Sequence, residues 1–552
     1  MYKHQKIFFP STLILLMVSL STFGNGQKSF EVSKQFDVIN SLFRELDQYY
    51  VDSINPEKVL KNGIDGMMTS FDPYTNYIPE SEKEDLKFIT TGEYGGVGAM
   101  IGVREGKVLV LEPYENMPAQ KAGLIAGDEL IEINGVKMTS ETNTKASEYL
   151  KGQPGTEVKV VIKREGQSKP LIKSILRALV SVNQVSYYGK VSNNIGYINL
   201  NGFTDKSTQE VLHAFNELKA KGIKKLILDI RGNSGGLLYE AVTICNLFVP
   251  KGQEIVSTRG KLHQWDQTFK TTREPVDTVI PIVVMVNSGS ASSSEIVCGA
   301  LQDLDRAVVL GTRTFGKGLV QTTRSIPYNG ILKITTAKYY IPSGRCIQAI
   351  DYTNRNKDGS VGRIPDSLTK KFTTRAGRVV MDGGGVQPDI EFKDERGSAI
   401  SYYLMEGMHF FNFANKYFRE HEKISDVADF KLDDKTYDDF VAYVKEKGFT
   451  YEKDSRKMLD KFKEMLDQES LSDVVKEEIS AIEKKLDNNI SEDFVTFRND
   501  IETLLSSEIV SRYYYQTGEI EQSLKYDPTL KKAIEVLNDD ELYRNTLKVS
   551  SH

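Results

Sequence analysis

Lys225-Leu-Ile-Leu-Asp-Ile-Arg-Gly-Asn-Ser-Gly-Gly236 sets a short, largely apolar run against a glycine turn. An apolar run this short reads as a strand buried on both faces, which happens where helices cover a parallel sheet. The flanking sequence agrees. Upstream, Ile195-Gly-Tyr-Ile-Asn-Leu200 reads as a strand and Lys206–Lys221 as an amphipathic helix. Downstream, a helix is expected to about Phe248, then a buried strand at Pro281-Ile-Val-Val-Met-Val286. A helix from about Ala291 to Gln302 and a strand at Ala307-Val-Val-Leu310 follow. This alternation predicts a mainly parallel sheet flanked by helices. Residues 351–388 are polar and Gly-rich, and read as an excursion that returns at Gly383-Gly-Gly-Val-Gln-Pro388.

Away from this core the chain changes character three times. Residues 27–90 read as helical, with Phe36, Ile39, Leu42, Phe43 and Leu46 on one apolar face. Residues 91–166 read as a small β-rich module: glycines cluster at 92–102, short alternating strands follow at 107–111 and 157–162, and a helical piece spans Thr142–Leu150. From 398 to 552 only Gly407, Gly448 and Gly518 remain of 42 glycines, and only Pro528 of 16 prolines. Apolar residues there recur at helical spacing, as in Met458, Phe462, Met465 and Leu466, so the region is expected to be all-helical. Residues 1–26 have the form of a secretory signal: Lys3 and Lys6, an interrupted apolar stretch to Phe23, then Gly24-Asn25-Gly26. The expected location is therefore outside the cytoplasm, in a bacterial periplasm; an uncleaved signal would leave the protein attached to the membrane.

Composition narrows the function. The 552 residues are 39% hydrophobic and 27% charged, which is globular, and 71 Lys+Arg against 76 Asp+Glu gives a net charge of −5. Nothing in that balance suggests nucleic acid as a partner. Three cysteines, Cys245, Cys298 and Cys346, exclude a disulfide framework and a four-Cys zinc site and suggest buried thiols. Six histidines without an HExxH pattern argue against a His-based metal site, and no cofactor is expected.

In an open α/β sheet, reactive groups gather beyond the carboxyl ends of the strands. Three such ends stand out: Arg231–Gly236, Asn287-Ser-Gly-Ser-Ala-Ser-Ser-Ser-Glu295, and Gly311-Thr-Arg-Thr-Phe-Gly-Lys-Gly-Leu-Val-Gln321. The third matches the first seven positions of a phosphate-binding P-loop. Its eighth is Gly318 where Ser or Thr should hold magnesium, and the residues that follow read as extended rather than helical. Both contextual tests for nucleotide binding fail, which leaves a nucleotide-dependent enzyme as a second alternative that ATP binding would reveal. A serine at a strand-to-helix turn can instead be a nucleophile, provided a base lies near. His213, on a surface-type helix, and His263, in a polar loop, are poor candidates. Lys317, between Gly316 and Gly318 and beside Phe315, could serve if desolvated.

At this point the chain resembles the C-terminal processing peptidases, or tail-specific proteases. The resemblance rests on Asp229–Gly236, Gly289–Glu295, Thr314–Gln321 and Thr335-Thr-Ala-Lys-Tyr-Tyr-Ile-Pro-Ser-Gly-Arg345, in that order, and runs from roughly 36 to 392. It implies Ser292 as nucleophile, Lys317 as general base and Gln321 as the residue that orients the lysine. It further implies an oxyanion hole from the backbone of Gly232 and Ser293. Two positions depart from the family pattern. Ser293 stands for Ala, where only a backbone N–H is required, and Ser234 for a common Pro, which should loosen a turn. Ser290, Ser294 and Glu295 read as caps and first-turn residues of the following helix.

The resemblance also makes the 91–166 module a PDZ domain, with Tyr94-Gly-Gly-Val-Gly-Ala-Met-Ile101 as its carboxylate-binding loop. Backbone N–H groups in such a turn converge on an anion while the peptide adds a strand. Val97, Gly98 and Ala99 are the expected loop contacts, and Ala146 and Leu150 the expected groove lining. The expected architecture is thus multidomain: signal peptide 1–26, helical region 27–90, PDZ domain 91–166, a crotonase-like α/β catalytic core 167–397, and helices 398–552. The expected function is an exported serine endopeptidase that captures substrate C-termini and cleaves by a Ser-Lys dyad. The alternative is a non-catalytic PDZ adaptor for C-terminal peptides. Expected partners are proteins or peptides with free C-termini, and the C-terminal helices are left for an adaptor protein or a second copy.

Overall fold

The computed structural model describes residues 12–355, 361–394, 397–486 and 490–548. The targeting segment expected over 1–26 lies outside the residues whose side chains are described. Among the described residues, no helix is long and apolar enough to cross a membrane.

The chain forms two compact units. The smaller holds residues up to Tyr77 together with Leu332–Ile334. It contains α1 (Thr12–Tyr49), α2 (Pro56–Met68) and the start of β1 (Asn76–Ile78). Asn55 caps α2, accepting from the Lys58 amide, and Pro56 fills its first position. The apolar face expected on α1 exists, but Phe36, Ile39, Leu42 and Leu46 are exposed, with nothing covering them among the described residues.

The larger unit begins with α3 (Lys83–Thr91) and the β-rich module. Strands β2 (Glu93–Gly96) and β9 (Ala178–Ser181) pair with each other. The main sheet runs β3 (Ala99–Arg104), β4 (Lys107–Pro113), β5 (Glu129–Ile133), β7 (Glu157–Lys163) and β8 (Leu171–Leu176), with β6 (Val136–Lys137) beside β5. Alternation along β7 buries Val158, Val160 and Ile162 and exposes Glu157, Lys159 and Lys163. Two expectations are corrected here. The module does not end at 166, because β8 is hydrogen-bonded to β7 along its whole length and β9 to β2. The helix expected over Thr142–Leu150 is a 3₁₀ turn at Asn143–Lys145 followed by α5 (Ala146–Leu150), which comes after the short α4 (Pro118–Lys121).

The catalytic-type sheet has the order β10 (Val185–Ser192), β11 (Ile195–Leu200), β12 (Lys225–Asp229), β15 (Ile282–Val286), β16 (Val308–Gly311), β23 (Ile390–Glu391). From β11 to β23 it is parallel, as expected; β10 is antiparallel to β11. A second sheet contains β13 (Glu254–Gly260), β14 (Gln267–Lys270), β17 (Leu319–Ser325) and β18 (Ile331–Tyr340). Period-two alternation sends the side chains of the parallel sheet to two faces. Leu226, Leu228, Val284 and Val309 pack against α6 (Ser207–Ala220), α7 (Leu238–Phe248) and α8 (Ser293–Asp303).

The other face carries Ile227, Val283, Met285, Val308 and Leu310. Its cover comes from the far end of the chain: Leu530, Ala533, Val536 and Leu537 of α16 (Pro528–Asn538) and Tyr543 of α17 (Asp540–Thr546). The Tyr543 hydroxyl bonds the Ile282 amide at 2.9 Å. The C-terminal region expected from 398 is thus not separate in packing, since its last helices complete the sheet's core. The composition of 398–552 marked it as helical but carried no sign of which helices fold onto the sheet.

The rest of that region is all-helical as expected and has its own core. Leu404 on α9 (Ala399–Glu406), Phe410 and Phe413 on α10 (His409–Glu420), and Phe440 on an intervening helix meet Leu505 and Ile509 on a long helix, Arg498–Leu524. That long helix breaks at Tyr515 (φ 53°, ψ −160°), where Gln120 of the β-rich module meets the Tyr515 hydroxyl.

Candidate active site

The three strand-end loops meet. Strand β12 delivers Arg231–Gly236, β15 delivers Asn287–Ser292 ahead of α8, and β16 delivers Thr312–Gly318 ahead of β17. That last loop runs into a strand rather than the helix that a P-loop opens.

The serines at the start of α8 divide by role. The Ser290 hydroxyl donates to Ile230 C=O at 2.8 Å, that of Ser293 to Gly236 C=O at 2.9 Å, and that of Ser294 to Asn233 C=O at 2.8 Å. Each stitches the turn to the glycine loop, and each is buried. Ser292 is half-buried, and its hydroxyl makes no bond to that loop among the described residues. Its backbone has φ 56° and ψ −115°, a strained conformation for a residue with a side chain. Strain of this kind marks the turn that presents a nucleophile at a strand-to-helix junction. Gly235 lies directly against that turn: a Cβ there would stand 2.8 Å from the Ser292 Cβ and 3.0 Å from the Ser293 amide.

Lys317 is half-buried on the loop after β16. Its two glycines are required by close approach. A Cβ on Gly316 would come within 2.3 Å of the Ala349 Cβ, and one on Gly318 within 2.8 Å of the Gln348 amide. The loop is tied from both sides: Ala349 N–H donates to Gly316 C=O at 2.9 Å, and Gly318 N–H to Gln348 Oε1 at 2.7 Å.

Glu295, read from the sequence as a first-turn residue, joins the two loops. It is fully buried. Its Oε2 accepts from the amides of both Ser292 (2.9 Å) and Lys317 (2.8 Å). Its Oε1 accepts from Gly316 N–H (2.8 Å) and the Thr314 hydroxyl (2.6 Å). The N3 acid of a capping box is visible in sequence; its second set of donors, some twenty residues away, is not. Burial pushes the Glu295 carboxyl up to about 7, against the four donors, which favour the ionised form.

A pH prediction follows. Below about pH 7 the carboxyl gains a proton, one oxygen becomes a donor, and one of the four contacts loses its acceptor. Since folding raises this pKa, protonation favours the folded state, and the stability it adds is lost as pH rises toward 7. Turnover should therefore fall below pH 7 while the melting temperature holds or rises. Activity and calorimetry in matched buffers check this, and parallel losses of both would refute it.

Of the expected site residues, the structure brings Ser292, Ser293 and the Lys317 loop together. Gln321 lies on β17 with its amide donating to the Thr335 hydroxyl at 3.2 Å. Ser293, as the first residue of α8, has an N–H with no intrahelical acceptor, which suits an oxyanion. The Gly232 N–H donates to Asn287 Oδ1 at 2.8 Å and the Gly235 N–H to Asn233 Oδ1 at 2.9 Å, so both amides already have acceptors, while the α-carbon of Gly235 is the one packed against the Ser292 turn.

In the β-rich module, Val97–Ala99 form the turn from β2 into β3, with the Val97 and Gly98 carbonyls bonded inward to Ala119 N–H (2.7 Å) and Tyr114 N–H (3.0 Å). Strand β3 is the edge of its sheet. Ala146 and Leu150 are buried in one cluster with Val97 rather than lining an open groove. Cys245 and Cys298 are buried free thiols, and Cys346 is half-buried.

The architecture is that of a PDZ-containing peptidase. Residues 194–356 match peptidase family S41, 109–164 match a PDZ domain, and 400–537 match the C-terminal helical domain of probable PDZ-proteases. The chain is 37% identical over 351 residues to the carboxy-terminal-processing protease of Bartonella bacilliformis, covering 63% of this chain and 79% of that one. It is 32% identical over 356 residues to the carboxy-terminal processing protease CtpA of Bacillus subtilis, covering 63% and 76%. Among solved structures, the photosystem II D1 C-terminal processing protease aligns with a TM-score of 0.35 and 26% identity, over 63% of this chain and 90% of that one. The chain belongs to the carboxy-terminal processing protease family.

Proposed function

We propose that this peptidase is exported and captures the free C-terminus of a protein or peptide on its PDZ module, then cleaves the chain through a dyad of Ser292 and Lys317. The observation that carries the reading is the joint hold of Glu295 on the Ser292 and Lys317 amides, which sets the two loops in one register. Neutral Lys317 takes the proton from the Ser292 hydroxyl as its oxygen attacks the scissile carbonyl. The oxyanion that forms is met by the Ser293 N–H. The C–N bond then breaks, the leaving amine takes the proton from Lys317, and water hydrolyses the acyl-enzyme by the same relay. Neither His213, packed edge-on to Tyr188, nor exposed His263, paired with Asp266, contacts the site among the described residues.

Peptide capture uses the β3 edge, where an extended chain adds a strand and its carboxylate meets the turn at 97–99. In full-length Ser292→Ala protein, a peptide ending in a free acid and a small apolar side chain should bind about tenfold or more tighter than its amidated twin, since charge-assisted hydrogen bonds contribute about 1.5–3 kcal/mol. Isothermal titration of the two peptides checks it; equal affinities would remove C-terminal recognition from this reading.

A further inference from the structure

A second side chain spans the same two loops from the opposite side. Tyr339, near the end of β18, has its ring sealed in the core of the sheet and is 1% exposed. Its hydroxyl lies between two backbone carbonyls, those of Ser292 (3.1 Å) and Lys317, the latter closer. Glu295 thus holds the amides of these two residues, and Tyr339 meets their carbonyls.

A phenol has one proton for two acceptors, and the surroundings decide which acceptor needs it more. The Ser292 carbonyl is already bonded by the amides of Glu295 (2.8 Å) and Ile296 (3.0 Å). The Lys317 carbonyl is the nearer acceptor and belongs to a loop rather than a helix. The backbone of Tyr339 acts on the same segment, its N–H donating to Gly318 C=O at 3.0 Å. Tyr339 itself is fixed by pairing with Thr258 on β13. One rigid strand residue therefore grips two successive peptide groups, Lys317–Gly318 and Gly318–Leu319, one on each side of the Gly318 α-carbon.

We propose that Tyr339 is a positioning residue for the reaction. Its hydroxyl fixes the Lys317 peptide, and with it the origin of the Lys317 side chain, relative to Ser292. The proposal rests on the dyad reading above. A displacement of about 1 Å between reacting groups can cost on the order of 100-fold in rate, so a lost anchor should be read in turnover rather than in binding.

The test is Tyr339→Phe in the full chain, which deletes one oxygen and keeps the ring. Active sites are counted with an acylating probe, and turnover is expressed per titrated site on a short peptide substrate. The expected result is a fall of about tenfold or more in kcat per site, with KM within about twofold of wild type. Unchanged kcat per site, including the case in which activity drops only because fewer sites titrate, would overturn the proposal. Should the Phe variant fail to fold, 4-fluorophenylalanine at 339 fills the space of the hydroxyl but has no proton to donate. Its kcat per site should fall about tenfold or more, and a wild-type value would overturn the proposal. Ser292→Ala runs alongside. Retained turnover there would take down the dyad reading and this proposal together, whereas an inert Ser292→Ala beside a full-speed Tyr339→Phe would take down this proposal alone.

Discussion

Ser292→Ala should lower peptidase turnover by about 10⁴-fold or more while leaving peptide capture unchanged and the melting temperature within about 5 °C of wild type. Deleting a serine nucleophile removes the covalent route altogether, so the loss is of that order. The fold should tolerate the change because the Ser292 contacts described above are made by its backbone: its amide to Glu295, and its carbonyl to Tyr339 and the first turn of α8. Alanine keeps all of them and the same Cβ, and gives up only the hydroxyl's side of the capping box that opens α8. Lys317→Arg should be nearly as damaging, because a guanidinium stays protonated at any workable pH and cannot accept the serine proton. Kinetics on purified variants, with circular dichroism as a fold control, decide both points. Near wild-type turnover in Ser292→Ala would end the nucleophile assignment; near wild-type turnover in Lys317→Arg would reduce Lys317 to an electrostatic role.

Truncation before α16 should cost the fold itself. Removing residues 525–552 strips Leu530, Ala533, Val536, Leu537 and Tyr543 from the sheet and bares Ile227, Val283, Met285, Val308 and Leu310. Each fully buried large aliphatic side chain contributes about 1.5–3 kcal/mol. The loss therefore reaches on the order of 10 kcal/mol, against a total stability of about 5–15 kcal/mol for a typical domain. The cut also removes Asp527, which caps α16 and pairs with Arg231 at 2.6 Å, just before the glycine loop at the active site. The truncated chain should be insoluble, or expose apolar surface to a hydrophobic dye, and show no activity. A soluble, active product would mean that α16 and α17 are dispensable cover.

The parallel sheet was legible because its strands are short apolar runs ending in glycine turns, a pattern that few other structures produce. The nucleophile and base loops were legible for a related reason: Ser-rich and Gly-Lys-Gly segments at strand ends stand out against their neighbours. What escaped was long-range and shared. Glu295 has an innocent local reading as a capping acid, and nothing in residues 293–303 announces that the amide of Lys317 needs it. Tyr339 sits in a strand of half-buried residues where an aromatic is unremarked. That side-chain amides, Asn287 for Gly232 and Asn233 for Gly235, take up the N–H groups of the glycine loop is equally invisible in the motif. The β8 strand was cut from its module because a polar turn at 164–170 looks like a boundary, and sheet pairing across it leaves no local trace. For α16 and α17, helical periodicity showed an apolar face but not what it would meet.

The placement of α16 and α17 also governs timing. Strand β23 ends at Glu391, yet the face of the sheet it completes stays bare until residues 528–546 have emerged, well over a hundred positions later. At the usual pace of synthesis, about 5–20 residues per second, that leaves the sheet half-clothed for on the order of ten seconds. Throughout that interval Ser292 and Lys317 already exist as residues, but the platform that holds them in register does not. A chain interrupted anywhere before α16 holds both residues without the finished sheet beneath them.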